Sequence, residues 1–142
     1  MKIITLTLLL LISYKGFCCS CQRPEKISNK DFNSYDLIVK GRIDKIDKGD
    51  RVNVIYVRIE RRYKGVITGE AVTVSTPSQS GMCGISPQVG DTWLIFANSY
   101  KDSYITDICT RTKSLNPQAW NYRKQEVKDD LRFLERKLKN KR

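Results

Sequence analysis

The chain has 142 residues, a formal net charge of +11 and no histidine at all. That length suits one domain with a real core. The missing imidazole removes the usual general base, the usual zinc ligand and every Ser-His or Cys-His pairing, so a conventional enzyme is not expected.

Lys2 and the run Ile3 to Ile12 give a charged start followed by about ten apolar residues, too short to span a bilayer. Gly16 and Cys18 are the small residues of an Ala-x-Ala-like cleavage site, whereas a cut one residue earlier would leave bulky Phe17 beside it. The expectation is a signal peptide over 1–18 and a domain over 19–142. A lipidated cysteine needs an apolar residue and small residues ahead of it, and Lys15-Gly16-Phe17 supplies that pattern poorly. Secretion is therefore expected rather than a periplasmic or lipid-anchored destination.

Losing Cys18 leaves Cys19, Cys21, Cys83 and Cys109. An even count in an oxidising compartment suggests two disulfides, with three connectivities open. Cys19 and Cys21 are too close for easy mutual bridging, so each is expected to reach Cys83 or Cys109. Either pattern closes long loops, worth about 4 kcal/mol each in the chain-entropy model. Cutting away Lys2 and Lys15 takes the charge from +11 to +9, which favours acidic polysaccharide, anionic surfaces or acidic partners. Nucleic acid is not expected in that compartment, nor is a membrane span.

In chain order, Ser28-Asn29-Lys30-Asp31 has the spacing of a capping box, with Phe32 and Tyr35 following, and predicts a short helix. Leu37 to Ile46 reads as a strand whose Gly41 marks a bulge or a tight barrel bend. Asp47-Lys48-Gly49-Asp50 is turn chemistry, and Val52 to Arg62 alternates, with Ile55, Val57 and Ile59 on one face. Glu70 to Thr76 predicts a third strand, Trp93 to Ala97 a buried fourth, and Tyr104 to Ile108 a fifth. Asn116-Pro117 offers an N-cap and a first helical proline. Trp120, Val127, Leu131, Leu134 and Leu138 then recur at helical spacing, which predicts an amphipathic C-terminal helix docked on the barrel. Its other face carries Arg123, Lys124, Lys128, Arg132, Arg136, Lys137 and Lys139, tempered by Glu126, Asp129, Asp130 and Glu135. The polyanion-binding candidates are Arg123, Lys124, Lys128, Arg132, Arg136 and Lys139, with glycosaminoglycan as the expected kind of ligand. Five short strands with flanking helices predict a mainly β fold, a small closed five-stranded barrel of the OB type, ahead of a sandwich.

No phosphate loop, Cys-x-x-Cys pair or dinucleotide fingerprint occurs, and no resident cofactor is expected. The amino terminus left by processing is the remaining reactive group. A catalytic zinc holds three protein ligands and a water. The amine and carbonyl of Cys19 can chelate such a metal in a partner protease, and Ser20 would then enter the adjoining substrate pocket.

Cys19-Ser20-Cys21 after a signal resembles the start of the tissue inhibitors of metalloproteinases, within the netrin-like superfamily. The likeness continues through Phe32 to Lys45, Glu60 to Gly65, Met82-Cys83-Gly84, Val89-Gly90, Trp93 to Ala97 and Ile108-Cys109. The resemblance implies a netrin-like barrel with Cys19–Cys83 and Cys21–Cys109 bonds. It also implies an inhibitory edge of Cys19, Ser20, Cys21 and Gln22 supported by Ser80, Gly81, Met82 and Cys83, with the Asp47 to Arg51 tip adding contacts. The partner implied is a zinc metalloproteinase, inhibited in trans through Cys19. Two departures stand out. Asn33 occupies the place of a cysteine in the family's third barrel disulfide, whose partner is missing too. These 142 residues also hold no counterpart of the family's cysteine-rich second domain. The rival expectation is a netrin-like binding module with no inhibitory role, attached to anionic matrix or cell surface by its basic helix.

Overall fold

The computed structural model describes residues 19, 21–22, 26–78 and 83–140. The expected signal peptide, together with Ser20, Ser80, Gly81 and Met82, lies outside the described residues.

Helix α1 (Asn29–Ser34) is set by a reciprocal cap. The Asp31 N–H donates to Ser28 Oγ at 3.2 Å, and the Ser28 N–H donates back to Asp31 Oδ2 at 2.8 Å, so two orphan donors are satisfied together. Lys64 Nζ donates to the carbonyls of Phe32 (2.9 Å) and Asn33 (3.0 Å), tying the far end of α1 to the barrel.

Six strands follow: β1 (Leu37–Asp47), β2 (Val52–Lys64), β3 (Ala71–Pro77), β4 (Thr92–Tyr100), β5 (Ser103–Ile105) and β6 (Lys113–Ser114). The first five close on themselves in the order β1-β2-β3-β5-β4-β1, with β3 and β5 parallel and all other neighbours antiparallel. This is the OB-type barrel that the strand pattern predicts. Gly41 sits at a register shift against β2, where a Cβ would lie 2.5 Å from the Arg58 carbonyl oxygen. The two strands can approach there only if that position has no side chain.

Alternation sorts the side chains into two cores. Leu37, Val39, Ile43, Ile55, Val57, Val74, Trp93, Ile95 and Ala97 fill the barrel. Ile38, Tyr63, Leu94 and Phe96 point outward instead, and Ile27, Phe32 and Leu134 cover them. That is why Leu37-Ile38-Val39 and Trp93 to Ala97 are unbroken apolar runs: both faces of those strands are buried.

Helix α2 (Lys124–Lys139) lays Leu131, Leu134 and Leu138 on this outer core, joined by Phe133, and Val127 is buried as well. It begins later than Asn116-Pro117 suggests. The Asn116 carboxamide does cap an N–H, that of Gln118 at 3.0 Å, but the cap closes a turn, not a helix. Two further turns fill the interval, and Trp120 is 95% exposed rather than part of the apolar stripe. The fifth strand is also shorter than expected. Asp107 Oδ1 accepts from the N–H groups of Cys109 (2.8 Å) and Thr110 (2.9 Å), and this side-chain turn ends the extended run before Ile108. Among the described residues no helix is long and apolar enough to cross a membrane.

Candidate functional site

Two disulfides, Cys19–Cys83 and Cys21–Cys109, attach residues 19 and 21 to one end of the barrel, with Cα separations of 5.8 and 5.0 Å. These are the pairs that the resemblance implies. They span sequence separations of 64 and 88, so each closes a large loop.

The two anchor loops are themselves organised. Cys83 lies between β3 and β4 with φ 64°, a left-handed conformation that a non-glycine residue holds only when its surroundings fix it. The Cys19 bond fixes it on one side. On the other, the Cys83 carbonyl accepts the Ile108 N–H at 2.9 Å, which couples this loop to the one carrying Cys109. Next along, Gly84 passes so near the end of β3 that a Cβ would lie 1.8 Å from the Pro77 oxygen. Ile85 then donates its N–H to Thr76 Oγ at 3.0 Å and plugs the barrel, 5% exposed.

The Cys109 loop is secured by threonines. β4 pairs with β6 at Trp93 and Leu94 and with β5 from Asn98 onward, which leaves Phe96 between partners. The Phe96 N–H donates to Thr112 Oγ at 2.8 Å, and its carbonyl accepts from Thr106 Oγ at 2.9 Å. Buried hydroxyls thus take the place of a strand, as a buried backbone requires.

The β1–β2 tip shares this end of the barrel. The Ser78 N–H donates to the Arg51 carbonyl (3.0 Å) and Ser78 Oγ to that of Asp50 (2.7 Å). Between tip and cysteine loop lies an open cavity of about 440 Å³, lined by Ile46, Lys48, Asn53, Thr76, Ile85 and Pro87 among others. Cys19, Cys21, Cys83, Cys109 and the 47–51 tip therefore converge. Gln22 is exposed, as are all six polyanion candidates, five on α2 and Arg123 at its N-cap.

Behind β6 stands a cluster that the sequence did not reveal. Asp130, fully buried on α2, accepts from Arg111 Nη2 at 2.7 Å and Nε at 3.2 Å, and from Lys113 Nζ at 2.6 Å. Lys113 also pairs with Glu126. The Arg111 side chain is 1% exposed and that of Lys113 8%. A second link runs from β2, where Tyr63 Oη and Arg61 Nη2 each donate to Glu135 at 3.0 Å. Burial, then the bond to Glu135, push the Tyr63 hydroxyl pKa well above its ordinary 10. The Arg61 bond chiefly holds Glu135 below its ordinary 4.5.

No group of three or more His, Cys, Asp or Glu able to hold a metal occurs among the described residues. Comparison with protein-family models gives no match, and comparison with curated proteins gives none either.

Proposed function

We propose that the chain is an exported inhibitor of zinc metalloendopeptidases, acting through the amino terminus created at Cys19. The observation that carries this reading is the pair of disulfides at alternate residues, Cys19 and Cys21, fastened to two loops that bond each other. A segment held in this way loses little conformational freedom on docking, which favours affinity. The α-amine, with a reference pKa near 7.7–8.0, supplies a neutral fraction at physiological pH, and the metal draws it further. Amine and Cys19 carbonyl together replace the zinc-bound water, and Ser20 occupies the pocket that takes a substrate side chain. Gln22 and the 47–51 tip extend the contact.

The test is a titration of the processed protein against a panel of zinc endopeptidases, with its first residue established by sequencing. A protein beginning at Cys19 should inhibit at least one of them. One extra residue ahead of Cys19 should abolish inhibition without changing thermal stability. Equal inhibition by the extended form would end the proposal. A second reading, a non-inhibitory module for anionic matrix or cell surfaces, is supported by the outward face of α2. A correctly processed but inert protein would favour it.

A further inference from the structure

The charges of α2 are sorted by direction. Three of its acids turn inward: Asp130 and Glu126 to Arg111 and Lys113, and Glu135 to Arg61 and Tyr63. They do not temper the outer face. That face exposes Lys124, Lys128, Arg132, Arg136 and Lys139, extending about 22 Å at 1.5 Å per residue. Asp129, bonded to Gln125 and 3.5 Å from Arg132, is its only ion-paired acid among the described residues.

Helix stability explains only the C-terminal end of this pattern, where Arg136, Lys137 and Lys139 lie in the last turn and the dipole favours cations. Lys124, Lys128, Arg132 and Arg136 repeat at i, i+4, where like charges repel. Arg123 holds the N-cap without a side-chain bond, and Lys124 follows it, so cations crowd the end whose dipole disfavours them. A groove of about 340 Å³ also flanks the ridge, with Gln125, Asp129, Arg132, Phe133 and Arg136 on the helix side and Lys26 and Ile27 opposite, so its three cations outnumber its one acid. Lys26 thus adds a cation from a segment far away in sequence.

We infer that this ridge and groove bind a linear sulfated polysaccharide, laid along α2 with its sulfates on Lys128, Arg132, Arg136 and Lys26. The inference deepens the second reading and holds whether or not the protein inhibits a protease. An anionic membrane fits less well. Helices that lie in an interface insert their apolar face, but Leu131, Leu134 and Leu138 are already packed on the barrel and Val127 is buried. A long ridge beside a groove matches a thin chain better than a flat surface.

The test uses the full processed protein and a heparin oligosaccharide, with calorimetric titration at low and high salt. Saturable binding that weakens steeply with salt is expected, and it should vanish with a desulfated oligosaccharide. Arg132→Glu and Lys26→Glu should each weaken it about fivefold, the scale of one basic residue at an anionic surface, and Lys128→Glu/Arg132→Glu/Arg136→Glu roughly 100-fold. Arg132→Lys should retain most of the affinity, which separates lost charge from lost folding. Lys101→Glu, an equal charge change on the exposed β4–β5 connection, should alter it less than twofold. A Lys101→Glu effect as large as that of Arg132→Glu would overturn the inference, since only overall charge would then matter. Anionic phospholipid vesicles that bind while the oligosaccharide does not, shifting the emission of exposed Trp120 to the blue, would overturn it in favour of a membrane. Tighter binding to duplex DNA at equal salt would overturn it too, and loss of all three would remove the second reading with it.

Discussion

Helix α2 is fastened to the barrel at two places, each an α2 carboxylate met by an arginine and a second donor, in opposite surroundings. At β6, Asp130 meets Arg111 and Lys113 with all three side chains no more than 8% exposed. At β2, Glu135 meets Arg61 and Tyr63 with the ion pair 41% and 46% exposed. Distances hardly differ, 2.6 to 3.2 Å in the first and 3.0 Å in the second. What differs is water. A buried pair contributes little relative to an apolar filling, yet it is costly to break, because the survivor keeps an uncompensated charge. An exposed pair is worth at most about 1 kcal/mol, whichever way it is removed. The inner fastening therefore decides where the helix sits, and the outer one adjusts how firmly it is held.

The largest effect expected from this contrast is at Asp130. Asp130→Ala leaves Arg111 and Lys113 to share Glu126, which pairs with Lys113 and lies 3.8 Å from Arg111, and the under-compensated buried charge should cost about 3 kcal/mol in urea unfolding. That is a large part of the 5–15 kcal/mol typical of a domain. A loss below about 1 kcal/mol would erase the distinction between the fastenings. Tyr63→Phe comes next, at about 1 kcal/mol near neutral pH for one hydrogen bond. It also carries a pH signature. Because folding raises the tyrosine pKa, its contribution is complete below pH 10 and is lost as the pH climbs above 10 towards the folded value. Wild type should weaken between pH 10 and 12 by more than Tyr63→Phe does, and parallel curves would remove Tyr63 from the latch.

These fastenings mark where sequence reasoning stopped. The barrel was legible because its signals are local: alternation in β2, a glycine at the β1 bend, doubly buried runs in β1 and β4, and beside them a capping box four residues long. Asp130 was not legible. It stands among Lys128, Asp129 and Arg132, a composition that reads as a solvated face, and its partners lie 17 and 19 residues upstream, Lys113 on a strand only two residues long and Arg111 just ahead of it. Nothing in a 3.6-residue period distinguishes an acid turned inward from one turned outward. The start of α2 misled for the opposite reason, since Asn116 carries real capping chemistry that the chain uses for a turn. At the candidate site, cysteine parity gave three possible pairings, and only the family resemblance selected one of them. Lys26 was invisible as a partner of α2, because its place beside Arg132 and Arg136 exists only after the barrel has closed.

The smallest expected effect sharpens the contrast most. Glu135→Gln should cost about 0.2–1 kcal/mol at neutral pH, as exposed pairs do. The folded pKa of Glu135 is depressed, so its contribution is present above the ordinary 4.5 and is lost as the pH falls through the folded value. Wild-type and Glu135→Gln stability curves should thus differ near pH 7 and merge in acid. Salt supplies the second axis. At 1 M ionic strength screening acts over about 3 Å, so the exposed Glu135–Arg61 pair should lose most of its effect while the penalty of Asp130→Ala should hardly change. If salt reduced both penalties in the same proportion, water would reach the inner cluster as readily as the outer one. The helix would then be placed by its apolar stripe, and the Asp130 cluster would have no special part in seating it.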